Sequence, residues 1–514
     1  MRQFRPGFLV LGLLFVVVFA VPVQQPGCTQ RSHLALTRAL ASGTARIDRD
    51  QATTCDKAWF GGHFYSVKAP GLAATALPAY ALLGALDLRP KSPTTLVWLL
   101  NLLTVVPSAL ILLLLTARLA DWVEPGSGTL AAVALGAGTL ALPFATLWFG
   151  HLPSAALAFG AFFLLVRGKA ALGDRRIDAA AGLLAGTAVL FDYPLGLVAI
   201  ALLVYAIATR GIRAAAAYGG GAAIPAAALV AYNRWAFGSP THVSYRDTVA
   251  VSGDTGHDVI QSGHQGFFGI TWPSPHALAE LLLSQRGLLT LTPVCLLGAF
   301  GVVALRRHTR AEAWFCGALV AAFLVYNSGL TLPFGGPFGG DTPGPRYLIA
   351  VLPFLLFPIG LAARAAPGAT AALLAASVGA MALATATVPM VGASETHLWL
   401  DALRDGRFTN TVVTLFGGGN GWPAILPFVV AVAALVWVGV TQSLRRMTAP
   451  LYAAFEAACL LISWLLVVFA SSRLFEPGRV AEGLIALGLA AALVAVAALW
   501  AREPHHRLPA ATAP

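Results

Sequence analysis

The stretch TLVWLLNLLTVVPSALILLLLTARL, Thr95 to Leu119, decides the fold. Its one ionisable residue, Arg118, stands next to its end. A helix of this length rises about 37 Å and clears a hydrocarbon core of about 30 Å. Ala369–Met390 is a second run of the same kind. Around them, 58% of the 514 residues are hydrophobic and 11% are charged, with mean hydropathy +0.76. A soluble domain carries about 25% charged residues. The chain therefore reads as an all-α polytopic membrane protein. A β-barrel is excluded, because its strands would be short and alternating.

Apolar segments recur at 7–23, 71–88, 95–118, 128–149, 151–166, 177–192, 193–209, 213–233, 287–305, 311–327, 346–363, 369–390, 423–440, 450–470 and 482–500. Arg and Lys positions test which of them cross. If 71–88 crosses, the clusters Arg167/Lys169/Arg175/Arg176, Arg306/Arg307/Arg310 and Arg445/Arg446 all fall outside. If it lies on or dips into the outer leaflet, these fall inside with Arg2, Arg5, Arg118, Arg210, Arg213, Arg364 and Arg502. The second solution obeys the positive-inside rule, and Pro78 suits a short, non-spanning helix. It predicts about 14 transmembrane helices, with both termini cytoplasmic, in the plasma (inner) membrane. Residues 1–23 fit either a cleaved signal peptide or an uncleaved first span; with no A-x-A site following, the span is favoured.

Residues 1–514 then form a single integral membrane domain with four long extracytoplasmic loops, 24–94, 234–286, 328–345 and 391–422. The net charge of +11 is explained by cytoplasmic loops, and no basic run with interleaved aromatics points to nucleic acid. No CxxC, HExxH, Walker A or N-x-S/T sequence occurs. Of five cysteines, Cys295, Cys316 and Cys459 fall in apolar segments, whereas Cys28 and Cys55 flank polar sequence. In an oxidising compartment the latter two either pair or remain free thiols.

The polar chemistry gathers in the loops. Within 24–94, Asp48, Asp50 and Asp56 are the carboxylates, and Lys57, His63, Tyr65 and Lys68 the donors. A carboxylate beside lysines at a bilayer surface suits a lipid phosphate held by cations, with the carboxylate as base. Asp48-Arg49-Asp50 is a DxD triplet, which leaves a divalent metal as one option; no other cofactor is indicated. His151 and Asp192 stand at predicted outer helix ends. In LPFGGPFGGDTPGPRYLIAVLP, Leu332 to Pro353, glycines and prolines run into Arg346. An Arg entering a span from outside suits a phosphate partner. His264, Trp272 and Arg286 of the second loop fit a sugar-stacking shelf or an interfacial aromatic belt.

Two short elements carry a resemblance. G-x-x-Y-x-x-K-x-P is formed by Gly62, Tyr65, Lys68 and Pro70, and P-R-Y-L by Pro345, Arg346, Tyr347 and Leu348. SQRGLL, Ser284 to Leu289, is a third familiar piece. With the layout of spans and loops, these resemble the GT-C glycosyltransferases of the family 39 type, related to protein O-mannosyltransferases and lipid A aminoarabinose transferases. The resemblance implies a GT-C-like bundle whose large first extracytoplasmic loop carries juxtamembrane helices. It also implies a polyprenyl-phosphate sugar donor, a glycan, lipid or protein acceptor, and direct displacement with an Asp as general base. Tyr65, Lys68 and Arg346 would bind phosphate, with Lys57, His63, Tyr347 and Asp192 around the substrate. Many members carry an acidic pair just after the first span; here CTQRSHL, Cys28 to Leu34, has no acid. The base is therefore expected at Asp56, with Asp48 the second choice. An oligosaccharide ligase using polyprenyl diphosphate shares this layout. A multi-spanning transporter is the more distant alternative, and no repeat supports it.

Overall fold

A computed structural model describes residues 6–171, 174–249, 270–331, 336–445, 447 and 449–500. Arg2, Arg5, His264, Arg446 and Arg502 lie outside the described residues. The chain is an all-α polytopic membrane protein. Among the described residues, seven helices are long and apolar enough to cross a membrane, or eight if one bent pair counts as a single span; five shorter apolar helices accompany them.

The chain opens with α1 (Pro6–Ala20), α2 (Cys28–Ala41), α3 (Gly71–Ala85) and α4 (Pro93–Val123). Ser92 starts α4 by accepting from the Thr95 amide at 3.4 Å, and Pro93 occupies the first turn, where no N–H is needed. At 15 residues, α3 rises about 22 Å and falls short of spanning. The predicted segment 128–149 is divided into α5 (Gly128–Gly136) and α6 (Ala141–Thr146). Then come α7 (His151–Arg167), α8 (Arg175–Phe191), α9 (Leu195–Arg210) and α10 (Ile212–Phe237). Helices α8 and α10 approach closely at glycines: a Cβ on Gly182 would strike the Tyr218 carbonyl, and one on Gly221 the Ala179 carbonyl. Small residues serve this purpose in membranes, where apolar area alone gives helices no reason to associate.

In the second half, α11 (Pro275–Leu283) and α12 (Leu288–Leu291) meet α13 (Val294–Leu305) at a 92° bend by Pro293. Helix α14 (Arg310–Ser328) follows. The predicted segment 346–363 is also broken, into a 3-10 turn (Arg346–Ala350), α15 (Leu352–Leu356) and α16 (Ile359–Ala365). Pro353 and Pro358 account for the interruptions, since each lacks the amide hydrogen that would continue the helix. The chain ends in α17 (Pro367–Ala386), α18 (His397–Arg404), α19 (Val412–Leu415), α20 (Trp422–Leu444), α21 (Pro450–Ser471) and α22 (Val480–Trp500).

Arg210 Nε pairs with Asp178 Oδ1 at 2.5 Å, both buried, and Lys169 pairs with Glu312, which also accepts from the Tyr205 hydroxyl at 2.6 Å. These tie α7, α8, α9 and α14 through the basic clusters. The four long loops meet one another elsewhere. Strand β1 (Pro22–Val23), just before the first loop, pairs antiparallel with β5 (Asn410–Thr411) of the fourth. Strand β2 (Lys57–Phe60) pairs with β3 (His63–Ser66), and on its other edge with β4 (Thr248–Val249) of the second loop. Thr342 of the third loop donates its amide to Val391 O of the fourth at 3.1 Å. Gly61 and Gly62 turn the β2–β3 hairpin with φ of 57° and 84°. Two central residues with positive φ match the right-handed twist of the strands, and glycine bears this without strain.

Candidate active site

The site is built first by the loop between α1 and α3. Cys28, the first residue of α2, is disulfide-bonded to Cys55, with Cα atoms 5.2 Å apart. This pins the start of α2 beside Asp56. One face of α2 then presents Thr29, Ser32 and His33, spaced i, i+3, i+4. The Thr29 hydroxyl donates to Asp56 Oδ2 at 2.5 Å, and the Ser32 hydroxyl donates to the Asp56 carbonyl at 2.6 Å. Ser32 Oγ also lies 2.8 Å from Ser66 Oγ at the end of β3. Two residues on, Lys68 reaches back, and its Nζ lies 2.7 Å from Asp56 Oδ2.

The second contribution comes from two helix junctions. His151 opens α7 and Asp192 closes α8, and His151 Nδ1 lies 2.6 Å from Asp192 Oδ2. Gly150 allows the approach: a Cβ there would collide with the Phe191 carbonyl.

The third is the Gly-Pro loop. Arg286 is buried and fixes that loop, its Nη1 donating to Gly340 O at 2.9 Å, Thr342 O at 3.2 Å and Val391 O at 2.9 Å. Arg286 is thus a strut of the loop. The loop ends at Arg346, whose guanidinium lies 5.6 Å from the Phe149 ring centre and 5.2 Å from that of Tyr347. Gly339, at φ +85°, leaves the space: a Cβ there would lie 2.5 Å from Arg346 Nε. Arg346 is buried, and its Nε has no hydrogen-bond partner among the described residues. Buried donors without partners are uncommon in folded proteins, and an anion is the natural acceptor.

These pieces enclose a cleft with about 380 Å³ of empty space, lined by Thr29, His33, Lys68, Phe149, His151, Asp192, Tyr193, Tyr245, Arg346 and Tyr347 among others. Burial pushes the Asp56 carboxyl up, but the Lys68 ammonium, its hydrogen bond, Thr29 and Arg346 outweigh this and hold it at about 2. Burial pulls the Lys68 ammonium below its ordinary range, with Asp56 opposing. His33 is driven down to about 3, by burial first and then by Lys68, so its imidazole is neutral. Burial raises the Tyr245 hydroxyl well above its usual range.

Of the residues singled out from sequence, the structure brings Lys68, His151, Asp192, Arg346 and Tyr347 into the cleft and sets Asp56 beside Lys68. It places five others elsewhere. Lys57 Nζ binds Gln51 O at 3.1 Å and Gln51 Oε1 at 2.5 Å. Asp48 pairs with His63 Nδ1 at 2.8 Å and caps the Phe64 amide at 2.7 Å. Tyr65 is buried against Ala45 and Phe237. Strand alternation explains this: Phe64 and Ser66 face α2, so Tyr65 faces away. Asp50 of the DxD triplet pairs with Arg38 at 2.6 Å. Among the described residues no group of three or more His, Cys, Asp or Glu is arranged to hold a metal. Trp272 is almost fully exposed, as a belt residue would be. Thr29, His33 and Tyr245 were not foreseen. The helical spacing of Thr29 and His33 was a usable signal; Tyr245 carried none.

No family model matches the chain, and no curated protein does. Solved structures resemble it in the course of the chain. ArnT from Cupriavidus metallidurans bound to undecaprenyl phosphate is 14% identical, with TM-score 0.45 over 95% of this chain and 76% of that one. The apo form of the same protein is 15% identical, with TM-score 0.47 over 95% and 75%. The arabinosyltransferase EmbB from Mycobacterium smegmatis is 13% identical, with TM-score 0.41 over 94% of this chain and 42% of that one.

Proposed function

We propose that this protein is a membrane glycosyltransferase. It moves a sugar from a polyprenyl-phosphate donor to an acceptor hydroxyl at the face that carries its four long loops. The observation that carries the reading is the pair of buried cations, Lys68 and Arg346, aimed at one cleft with Arg346 Nε unpartnered among the described residues. Lys68 is paired with Asp56, Arg346 keeps an unpartnered donor, and a planar guanidinium beside an ammonium suits a phosphate. The apolar helix α3 begins three residues after Lys68, which fits a cleft beside lipid. The short G-x-x-Y-x-x-K-x-P and P-R-Y-L elements, shared with GT-C glycosyltransferases, supply these same two cations.

The chemistry is one displacement. The acceptor oxygen forms a bond to the anomeric carbon, the bond from that carbon to the phosphate oxygen breaks, and its electron pair stays with the polyprenyl phosphate. Lys68 and Arg346 stabilise the charge developing on that leaving group. Asp56, the base expected from sequence, is engaged with Lys68 and Thr29. By the positive-inside rule the loop face is extracytoplasmic, which fits a lipid-linked donor.

The test is donor consumption by the purified chain in liposomes, offered a panel of polyprenyl-phosphate sugars. Release of polyprenyl phosphate by wild type, and its loss in Lys68→Ala and Arg346→Ala, is expected. Consumption of polyprenyl-diphosphate oligosaccharides alone would move the reading to a ligase. Movement of a solute without donor consumption would move it to a transporter.

A further inference from the structure

Asp56 is not among the residues that line the cleft, and its Oδ2 already receives both Lys68 and Thr29. His151 and Asp192 do line it. The His151 imidazole is held on several sides. It stacks on Phe149 with centres 5.6 Å apart and 16° between planes, and meets the Tyr347 ring edge-on at 5.6 Å. Its Nδ1 faces Asp192 Oδ2 at 2.6 Å. A carboxylate accepts hydrogen bonds, so Nδ1 carries the hydrogen and Nε2 keeps its lone pair. Nε2 is the ring nitrogen that Asp192 does not engage.

We infer that His151, oriented by Asp192, is the group that takes the proton of the acceptor hydroxyl, while Asp56 holds Lys68 in place for the donor phosphate. The inference rests on the glycosyl-transfer reading of this cleft. In the step, the acceptor O–H bond breaks and its proton passes to His151 Nε2. The oxygen bonds to the anomeric carbon, and the pair from the broken carbon–oxygen bond leaves with the phosphate. The imidazolium so formed is balanced by Asp192, and its proton later passes to water. The base then faces the cleft from the side of α7 and α8, and Lys68 need not exchange partners before chemistry begins.

The experiment uses the full chain in liposomes with a donor that wild type consumes, and compares His151→Ala, His151→Gln, Asp56→Asn and wild type. Donor KM and kcat are measured separately, with and without added imidazole. For both His151 variants kcat should fall about 10²–10⁴-fold while donor KM stays within about threefold, which also reports that the cleft is folded. Free imidazole should restore part of the turnover of His151→Ala and none of that of Asp56→Asn. A His151→Ala enzyme with kcat within about threefold of wild type, or a loss carried by KM alone, overturns the assignment of the base while the transfer reading stands. A wild-type chain that consumes no donor overturns the transfer reading itself, and this assignment with it.

Discussion

Lys68 Nζ sits 2.7 Å from Asp56 Oδ2, the two residues flanking the β2–β3 hairpin beside the Cys28–Cys55 disulfide and the Thr29 face of α2. The pair couples charge to geometry: Asp56 orients the Lys68 ammonium at the cleft. Removing one partner leaves the other charge buried and uncompensated. Lys68→Ala should weaken polyprenyl-phosphate affinity about 10–100-fold, the worth of one or two charge-assisted hydrogen bonds. Asp56→Asn should remain folded and lower transfer about 10²-fold or more. Titration of binding by intrinsic fluorescence checks the first and donor consumption the second; unchanged values would remove the pair from the site.

Arg346 is held by ring contacts as well as by its charge. Arg346→Lys keeps the charge and gives up the planar contact with Phe149 and Tyr347. Donor affinity should still drop about tenfold, since an ammonium cannot replace a stacked fork of donors. A Lys variant binding donor as tightly as wild type would reduce Arg346 to a point charge. Gly339→Ala should cause a comparable loss without touching the donor, because its φ of +85° and the nearby Arg346 Nε leave no room for a methyl group.

The Cys28–Cys55 bond closes a separation of 27 residues. In the chain-entropy model that is worth about 3–4 kcal/mol to the loop. Cys28→Ser, Cys55→Ser and reduced wild type should therefore share a lowered melting temperature in detergent and a weakened donor affinity. Melting of reduced protein at the wild-type temperature would contradict this.

His33 gives the stability a pH dependence of known sign. Its folded pKa, about 3, is depressed below the ordinary imidazole value of 6.5, so the unfolded chain binds the extra proton between those values. Stability then falls as pH drops from about 6.5 toward 3 and is constant above that window. His33→Gln should flatten this slope in a melting series across pH 4 to pH 8, sampled at about one-unit steps. The same slope in both proteins would exclude His33 as its source.

The class of fold was legible because composition and run length report burial in lipid directly; Thr95–Leu119 lies within the 31-residue α4. Contacts join parts of the predicted loops: β2 of the first pairs with β4 of the second, and Thr342 of the third bonds Val391 of the fourth. Breaks within 128–149 and 346–363 were less legible, because hydropathy averages over a proline. Of the groups at or beside the cleft, Lys68 and Arg346 were singled out by motif, and Asp56 by its nearness in sequence. Lys57, His63 and Tyr65 were drawn in by that same nearness, yet β-strand alternation and local partners such as Gln51 and Asp48 direct them elsewhere. The His151–Asp192 pair joins residues 41 apart at the ends of two helices, a contact that only packing creates.

Sidedness has its own check. A single cysteine placed in 89–94 should react with an impermeant thiol reagent in intact cells, and one placed at 175 or 176 should be protected. The reverse pattern would turn the loop face toward the cytoplasm, where a lipid-linked sugar is not the expected donor.

The most direct measurement is the release of polyprenyl phosphate from polyprenyl-phosphate sugars by the purified chain, beside Lys68→Ala and Arg346→Ala. Release by wild type, with loss in both variants, is the predicted result. Equal release by all three, or none by wild type from any donor, would contradict a phosphate site built from Lys68 and Arg346.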